Sequence, residues 1–347
     1  MKIIQISNQI YENIISQMQT QIILEEDINV KDIIVLQNGE QKINVEITAK
    51  AKYNSIEDCF KLIPVDLFGV RTIEEAKQMY GNIKKINVYR LKVDIDEIET
   101  IYDDKLLSLI DKKSLKKNNV GHSNTNVYEV NLTNGKEAIL KIQHLTNRND
   151  LYEEYKRIIW LQGKCNVPEV YYYSENGKDK FMLMEKKEGV AAHKYKGFAR
   201  LIGKELKKIH SINIEDCNFS QNNVETLLKN AINNIDIIYP QINEIYPEMS
   251  KSEVIDFLKN NVPTDKVLVH GDYSLPNILI NESGEIGLID LGDVSISSMY
   301  FDFFYLRKSM IRNKKIELFE ELLDAYGIKK LDEKYMKWME FVDKALF

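Results

Sequence analysis

The segment Lys266–Phe303, KVLVHGDYSLPNILINESGEIGLIDLGDVSISSMYFDF, constrains this 347-residue chain more than any other. Two short apolar runs, Val267–Val269 and Ile278–Ile280, flank a polar turn that carries His270, Asp272 and Asn277. A third run, Ile286–Ile289, follows a glycine-bearing turn and ends on Asp290. Runs this short, bounded by turn residues, predict small strands joined as a hairpin. Side chains that handle protons or metals therefore leave the ends of adjacent rigid elements.

Asp272, four residues, Asn277, and then Asp290 is the spacing of a kinase catalytic apparatus. It supplies a base, a metal-binding Asn and a metal-binding Asp from the next hairpin. Such a site needs a phosphate cradle, and Val120–Ile142 offers one. Val127–Val130 and Ala138–Ile142 alternate in polarity around Asn134–Gly135, a hairpin signal. Before them, Gly121, His122, Ser123 and Asn124 form a small polar loop whose N–H groups can fold over phosphate oxygens. Lys141 sits on the second strand, where a lysine is costly unless paired, used, or turned outward along its stem. Asp150–Gly163 has helical periodicity with Leu151, Ile158, Trp160 and Leu161 as core candidates. Glu154 on this helix would face the Lys141 strand; Glu153 competes, and helical Glu–Lys or Glu–Arg pairing is the plain alternative. Two further strands, VYYYSE and FMLMEKKEG, lead to a connector near Glu185–Lys187, where backbone groups could hold a nucleotide base.

The N-terminal hundred residues read differently. Ile10–Met18 predicts a helix, Val30–Gln37 and Ile43–Tyr53 strands around Asn38–Gly39, and Lys85–Val93 a closing strand. Thr72 with Glu75 is a capping-box signature for a helix to Tyr80. The acidic stretch Asp94–Asp104 marks a boundary, which divides the chain into 1–97, a linker 98–104, and 105–347. At 44% apolar, the chain can bury a sizeable core, and its net charge of −6 gives no global field for nucleic acid. Cys59, Cys165 and Cys217 are too few and too scattered for a disulfide framework or zinc site. They fit a reducing, cytoplasmic setting. The start MKIIQISNQIYENII is too polar for a signal peptide, and no apolar run is long enough to span a bilayer. The chain shows no internal repeat.

With these residues placed, 105–347 resembles the aminoglycoside phosphotransferase family, closest to its 3′-type branch. The resemblance is carried by VGHSNTNVYEV, ILKI, YEEYKRIIWLQGKCNVPEV, KKIHSINIEDCNFS, VHGDYSLPNILI, GLIDLGD and LDEKYMKWMEFVDKALF, in order. It implies an α+β, two-lobed, protein-kinase-like fold, with an N-lobe over 105–188 and a C-lobe with substrate-binding helices over 189–347. It further implies ATP and Mg²⁺, with Asp272 as catalytic base and Asn277 and Asp290 as metal ligands. Lys141, paired with Glu154, would hold the α- and β-phosphates, Ser123 would belong to the covering loop, and the adenine would lie near Glu185 and Lys187. His270 and Asp302 read as structural braces, and His210 as a packing residue at a helix end.

The implied acceptor is a small hydroxylated molecule, an aminoglycoside-type amino sugar, and the implied role antibiotic resistance. A polycation calls for carboxylates around the acceptor, and 222–260 offers Glu244. Glu253 and Asp256 lie at a helix start, where acids complement the dipole. The C-terminal segment adds Asp343 and Phe347. Three residues depart from the family pattern. Lys344 follows Asp343 in place of a second acid, Asp293 stands where the family shows Arg, and Ile139 takes a place where an aromatic can stack on adenine. A macrolide or another small metabolite is the alternative acceptor.

Residues 1–97 resemble the ASCH domain, a PUA-like β-barrel, through DIIVLQ, INVEITAKAKYN, LFGVRTIEEAKQMY and INVYRLKV. That family has RNA-linked roles, so an RNA-associated protein with a regulatory kinase-like domain is a second reading. Twelve Lys and Arg against fifteen Asp and Glu over 1–97 leave a net of −3. Phosphate binding needs the opposite sign, which favours an auxiliary module over an RNA surface.

Overall fold

The computed structural model describes residues 2–15, 19–81, 83–93, 103–118, 125–144, 150–176, 179–220 and 222–345. The chain divides into two compact units, 1–151 with 172–183, and 152–171 with 184–347. The first opens with β1 (Lys2–Gln5), α1 (Asn8–Ile15), β2 (Gln21–Leu24), β3 (Ile33–Asn38) and β4 (Gln41–Tyr53). It continues through α2 (Ile56–Leu62), α3 (Ile73–Tyr80) and β5 (Ile86–Val93). The strands form one sheet in the order β1-β3-β4-β5-β2, with β1 parallel to β3 and the β3–β4, β4–β5 and β2–β5 pairs antiparallel. Leu36, Ile47, Tyr89 and Phe68 are fully buried in its core. At α3, Thr72 Oγ1 accepts from Glu75 N at 3.1 Å, but Glu75 reaches back to Arg71 N rather than to Thr72.

The second sheet uses β6 (Ile110–Asn118), which follows α4 (Asp104–Leu109), then β7 (Asn126–Leu132) and β8 (Glu137–His144). The helix α5 (Asp150–Leu161) comes next and has its body in the other unit, followed by β9 (Val170–Glu175) and β10 (Asp179–Glu185). The strand order is β6-β7-β8-β10-β9. The β7–β8 hairpin turns at Asn134–Gly135, where Gly135 takes φ 84° and Asn134 Oδ1 accepts from Lys136 N. Asp103 caps α4 and also accepts from Tyr172 and Ser174.

The second unit is mainly helical. It contains β11 (Val190–Ala191), α6 (Phe198–His210), α7 (Val224–Asn233), α8 (Ile235–Ile245) and α9 (Lys251–Asn260). Next come β12 (Val267–Val269), β13 (Ile278–Ile280), β14 (Ile286–Leu288) and β15 (Ser295–Ser297). The chain closes with α10 (Met299–Arg312), α11 (Phe319–Tyr326) and α12 (Glu333–Asp343). A full reciprocal capping box starts α9, where Ser250 and Glu253 each accept the other's backbone N–H, so Glu253 is used locally. Gly203 lets α6 press against α11, since a Cβ there would lie 2.4 Å from Leu322 O. Trp338 is fully buried and donates its indole N–H to Leu258 O at 2.9 Å, which ties α12 to α9. Among the described residues, no helix is long and apolar enough to cross a membrane.

Candidate active site

Two small sheets set the geometry. β12 pairs with β15, and β13 pairs antiparallel with β14, with Ile278 opposite Leu288. This register places Asn277 opposite Ile289, and Ile289 N donates to Asn277 O at 3.0 Å. Asp290 follows directly, so Asn277 and Asp290 leave the same end of one hairpin. Asp272 joins them from the turn after β12: Asn277 Nδ2 donates to Asp272 Oδ2 at 2.8 Å and to Asp272 O at 3.1 Å. No hydrogen bond engages Asp272 Oδ1 among the described residues.

Asp302, on α10 and fully buried, braces this turn from beneath. Its carboxylate accepts from His270 N at 2.8 Å and Gly271 N at 2.9 Å, and stands 3.1 Å from His210 Nε2. His210 Nδ1 is 2.9 Å from the Tyr326 hydroxyl, so this helix-end histidine links α6, α10 and α11. Both ring nitrogens of His270 are occupied. Nδ1 accepts from Asp272 N at 3.3 Å, and Nε2 lies 3.2 Å from Ile289 O. With Nδ1 accepting and Nε2 donating, the ring bridges the turn and the residue that follows β14.

Asp290 adopts φ 60°, a left-handed conformation that is uncommon outside glycine and costs about 1–3 kcal/mol. Gly271, at φ 89°, packs against the segment beyond it: a Cβ on Gly271 would lie 2.2 Å from Asp293 O. Gly271→Ala is therefore expected to destabilise the second unit by at least about 1–3 kcal/mol and to depress turnover. Thermal melts and kcat check this, and an alanine variant that melts and turns over as the parent does would remove the close-approach argument.

Asp293 is exposed at the edge of this cluster. Its crowded surroundings first, and then the charge of Asp290, raise its carboxyl above the usual carboxylate range, and Arg157 acts in the opposite direction. Asn222 Nδ2 donates to Asp293 O at 3.2 Å.

The remaining sequence candidates fall in several places. Lys141 is buried on β8 of the first unit, and Glu154 is buried on α5 in the second. Glu185 gives its N–H to Glu169 O and accepts from Lys187 Nζ at 3.2 Å. Lys187 also donates to Asn166 Oδ1 at 2.7 Å, and Asn166 is bonded to Ile286 O, which laces the connector to β14. Glu244 is exposed on α8. Asp343 is buried and clasped by α10, with Tyr305 OH at 2.8 Å and Lys308 Nζ at 2.7 Å. Burial and Asp343 together push the Tyr305 phenol up. Ser123 and Phe347 lie outside the described residues.

Sequence reasoning missed Arg157, Asn222 and the Tyr305–Lys308 clasp. None of them left a distinct signal: Arg157 reads as an ordinary i,i+4 partner of Glu153.

Asp272, Asn277 and Asp290 thus converge at the end of a β-hairpin on a mixed α and β, kinase-like scaffold. Residues 114–341 match the phosphotransferase enzyme family, and the chain belongs to that family. It is 30% identical over 255 residues to an aminoglycoside 3′-phosphotransferase of Niallia circulans, covering 70% of this chain and 97% of that one. Its fold is similar to that of a type VIII aminoglycoside 3′-phosphotransferase, with a TM-score of 0.54 and 20% identity over 67% of this chain and 94% of that chain. An aminoglycoside phosphotransferase of Streptomyces rimosus, solved with ADP and streptomycin, gives a TM-score of 0.52 at 19% identity over 67% and 92% of the two chains.

Proposed function

We propose that this phosphotransferase moves the γ-phosphoryl group of ATP to a hydroxyl of an aminoglycoside-type amino sugar. The observation that supports this most is the convergence of Asp272, Asn277 and Asp290 at one end of the β13–β14 hairpin. It occurs in a chain 30% identical to a relative named for that reaction.

Mg²⁺ suits the donors present. Asn277 turns its amide nitrogen toward Asp272, which leaves its oxygen, a hard donor, and Asp290 adds a carboxylate. Among the described residues no group of three His, Cys, Asp or Glu could hold a metal. Mg²⁺ needs no such cage, because it is commonly held by one or two protein oxygens with phosphates and water. When bound, the ion offsets phosphate charge. Asp272 accepts the hydrogen of the acceptor hydroxyl on Oδ1 and orients its oxygen for in-line attack. In this reading Lys141 is the candidate for the α- and β-phosphates, with Glu154 the partner that the resemblance implies; Ser123 is the candidate from the covering loop that the resemblance implies, and connector groups at Glu185–Lys187 take the adenine. With the Glu185 N–H already used, the base relies on the other backbone groups of that connector.

Glu244, Asp293, Asp343 and Phe347 are our candidates for the acceptor wall. The Lys308 contact favours a second reading, because Asp343 already has a counter-charge and a polycation must compete for it. A less cationic acceptor, such as a macrolide, follows from that. ADP release with Mg-ATP across aminoglycosides, macrolides and simple sugars separates the two. The first reading expects the highest kcat/KM with polyamine sugars, and failure to bind nucleotide or to turn over any acceptor rejects both. We read the N-terminal sheet as an ASCH-like, PUA-like auxiliary module, since its net charge of −3 opposes an RNA surface. Three free cysteines support a cytoplasmic setting.

A further inference from the structure

Arg157 takes no part in the reading above, yet it is among the largest fully buried side chains, at 2% exposure. A guanidinium does not shed its charge, so burying one is costly unless its neighbours offset it. An apolar side chain of similar volume would suit a helix packed on a core at least as well.

Its contacts point to one segment. Arg157 Nε donates to Val294 O at 2.7 Å, and the guanidinium lies 5.4 Å from the Phe219 ring centroid. Glu153 Oε2, one turn back on α5, is 3.6 Å from Nη1. Val294 ends the turn that begins at Asp290; Asn222 bonds the same turn at Asp293 O, and Gly271 packs closely against it. A non-glycine residue in the left-handed region persists only where its surroundings over-determine it. Arg157 provides the most buried of these restraints. It is also a positive charge acting on Asp293, against the like charges of Asp290 and Asp272.

We propose that Arg157 is a positioning residue for phosphoryl transfer, tethering the 290–294 turn to α5 so that Asp290 keeps its orientation toward a divalent cation. The proposal rests on the functional reading above. Lysine would keep the charge but lacks the planar fork that can bond Val294 O while the other nitrogens face carboxylates.

The test uses the full chain and the variants Arg157→Met, Arg157→Lys and Asp293→Asn. Amide exchange of 289–296 is read in metal-free protein, Mn²⁺ affinity of the ADP complex by water-proton relaxation, and kcat with acceptor KM by ADP release. Arg157→Met should speed exchange in 289–296 by about tenfold, with little change at 267–269. It should weaken Mn²⁺ binding and lower kcat by about 10–100-fold, while acceptor KM stays within about twofold. Arg157→Lys should fall between, and Asp293→Asn should recover part of the loss in the Arg157→Met background by removing a like charge. Parental exchange and Mn²⁺ affinity in Arg157→Met overturn the proposal, as does faster exchange spread evenly over the second unit. Should Arg157→Met fail to fold, Arg157→Lys decides, and parental exchange and Mn²⁺ affinity in that variant overturn the proposal. If no acceptor is phosphorylated, the functional reading falls, while exchange and Mn²⁺ binding still decide the role of Arg157.

Discussion

Asp272→Ala is expected to lower kcat by roughly 10²–10⁴-fold, the usual range for loss of a positioned base, while the protein stays folded. The turn does not depend on this side chain. Its backbone is held by Asp302 at His270 N and Gly271 N, and Asn277 Nδ2 keeps a second acceptor at the backbone oxygen of residue 272. Nucleotide binding and melting should therefore be close to those of the parent. Acceptor KM should move little, because the carboxylate acts on the hydroxyl chiefly as attack begins. A variant that keeps more than about a tenth of parental kcat would remove Asp272 from the role of base.

Asp302→Ala should act on stability rather than on chemistry. Its carboxylate is fully buried and answers two backbone N–H groups and one histidine nitrogen. Alanine leaves these without an acceptor in an interior that water does not reach. Removing one partner of such a buried charged network costs about 3–5 kcal/mol, a loss of about 10 °C in the melting of the second unit. Asparagine should recover part of this loss, since it keeps one acceptor oxygen but points an N–H at a donor. A melting temperature within roughly 2 °C of the parent for Asp302→Ala would show that water or a rearranged turn replaces the brace.

The parts of the site legible in the sequence are those whose physics is local. Asp272, Asn277 and Asp290 lie within twenty residues, and the short strands between them carry their own turn signals. The Asn134–Gly135 hairpin was readable for the same reason. Arg157 was not, because in sequence it is an ordinary partner of Glu153 one turn away, and the atom that explains its burial is 137 residues downstream. Asp343 was read from the resemblance as a candidate substrate contact, and its clasp by Tyr305 and Lys308 arises only when α10 and α12 pack. Even capping was only partly local. The Thr72–Glu75 signature forms with Glu75 displaced onto Arg71, whereas the complete reciprocal box stands at Ser250–Glu253.

The helix α10 carries two of these polar clusters. On α10, Asp302 supports the turn that carries Asp272, and further along the helix Tyr305 and Lys308 grip α12 at Asp343. On the proposed reading, reaction chemistry and acceptor preference are thus lodged at separate stations of a single rigid rod. Mutation can rework the outer station, one clasp residue at a time, while the inner one is inherited unchanged. A lineage built this way can follow a changing repertoire of acceptors without reinventing phosphoryl transfer.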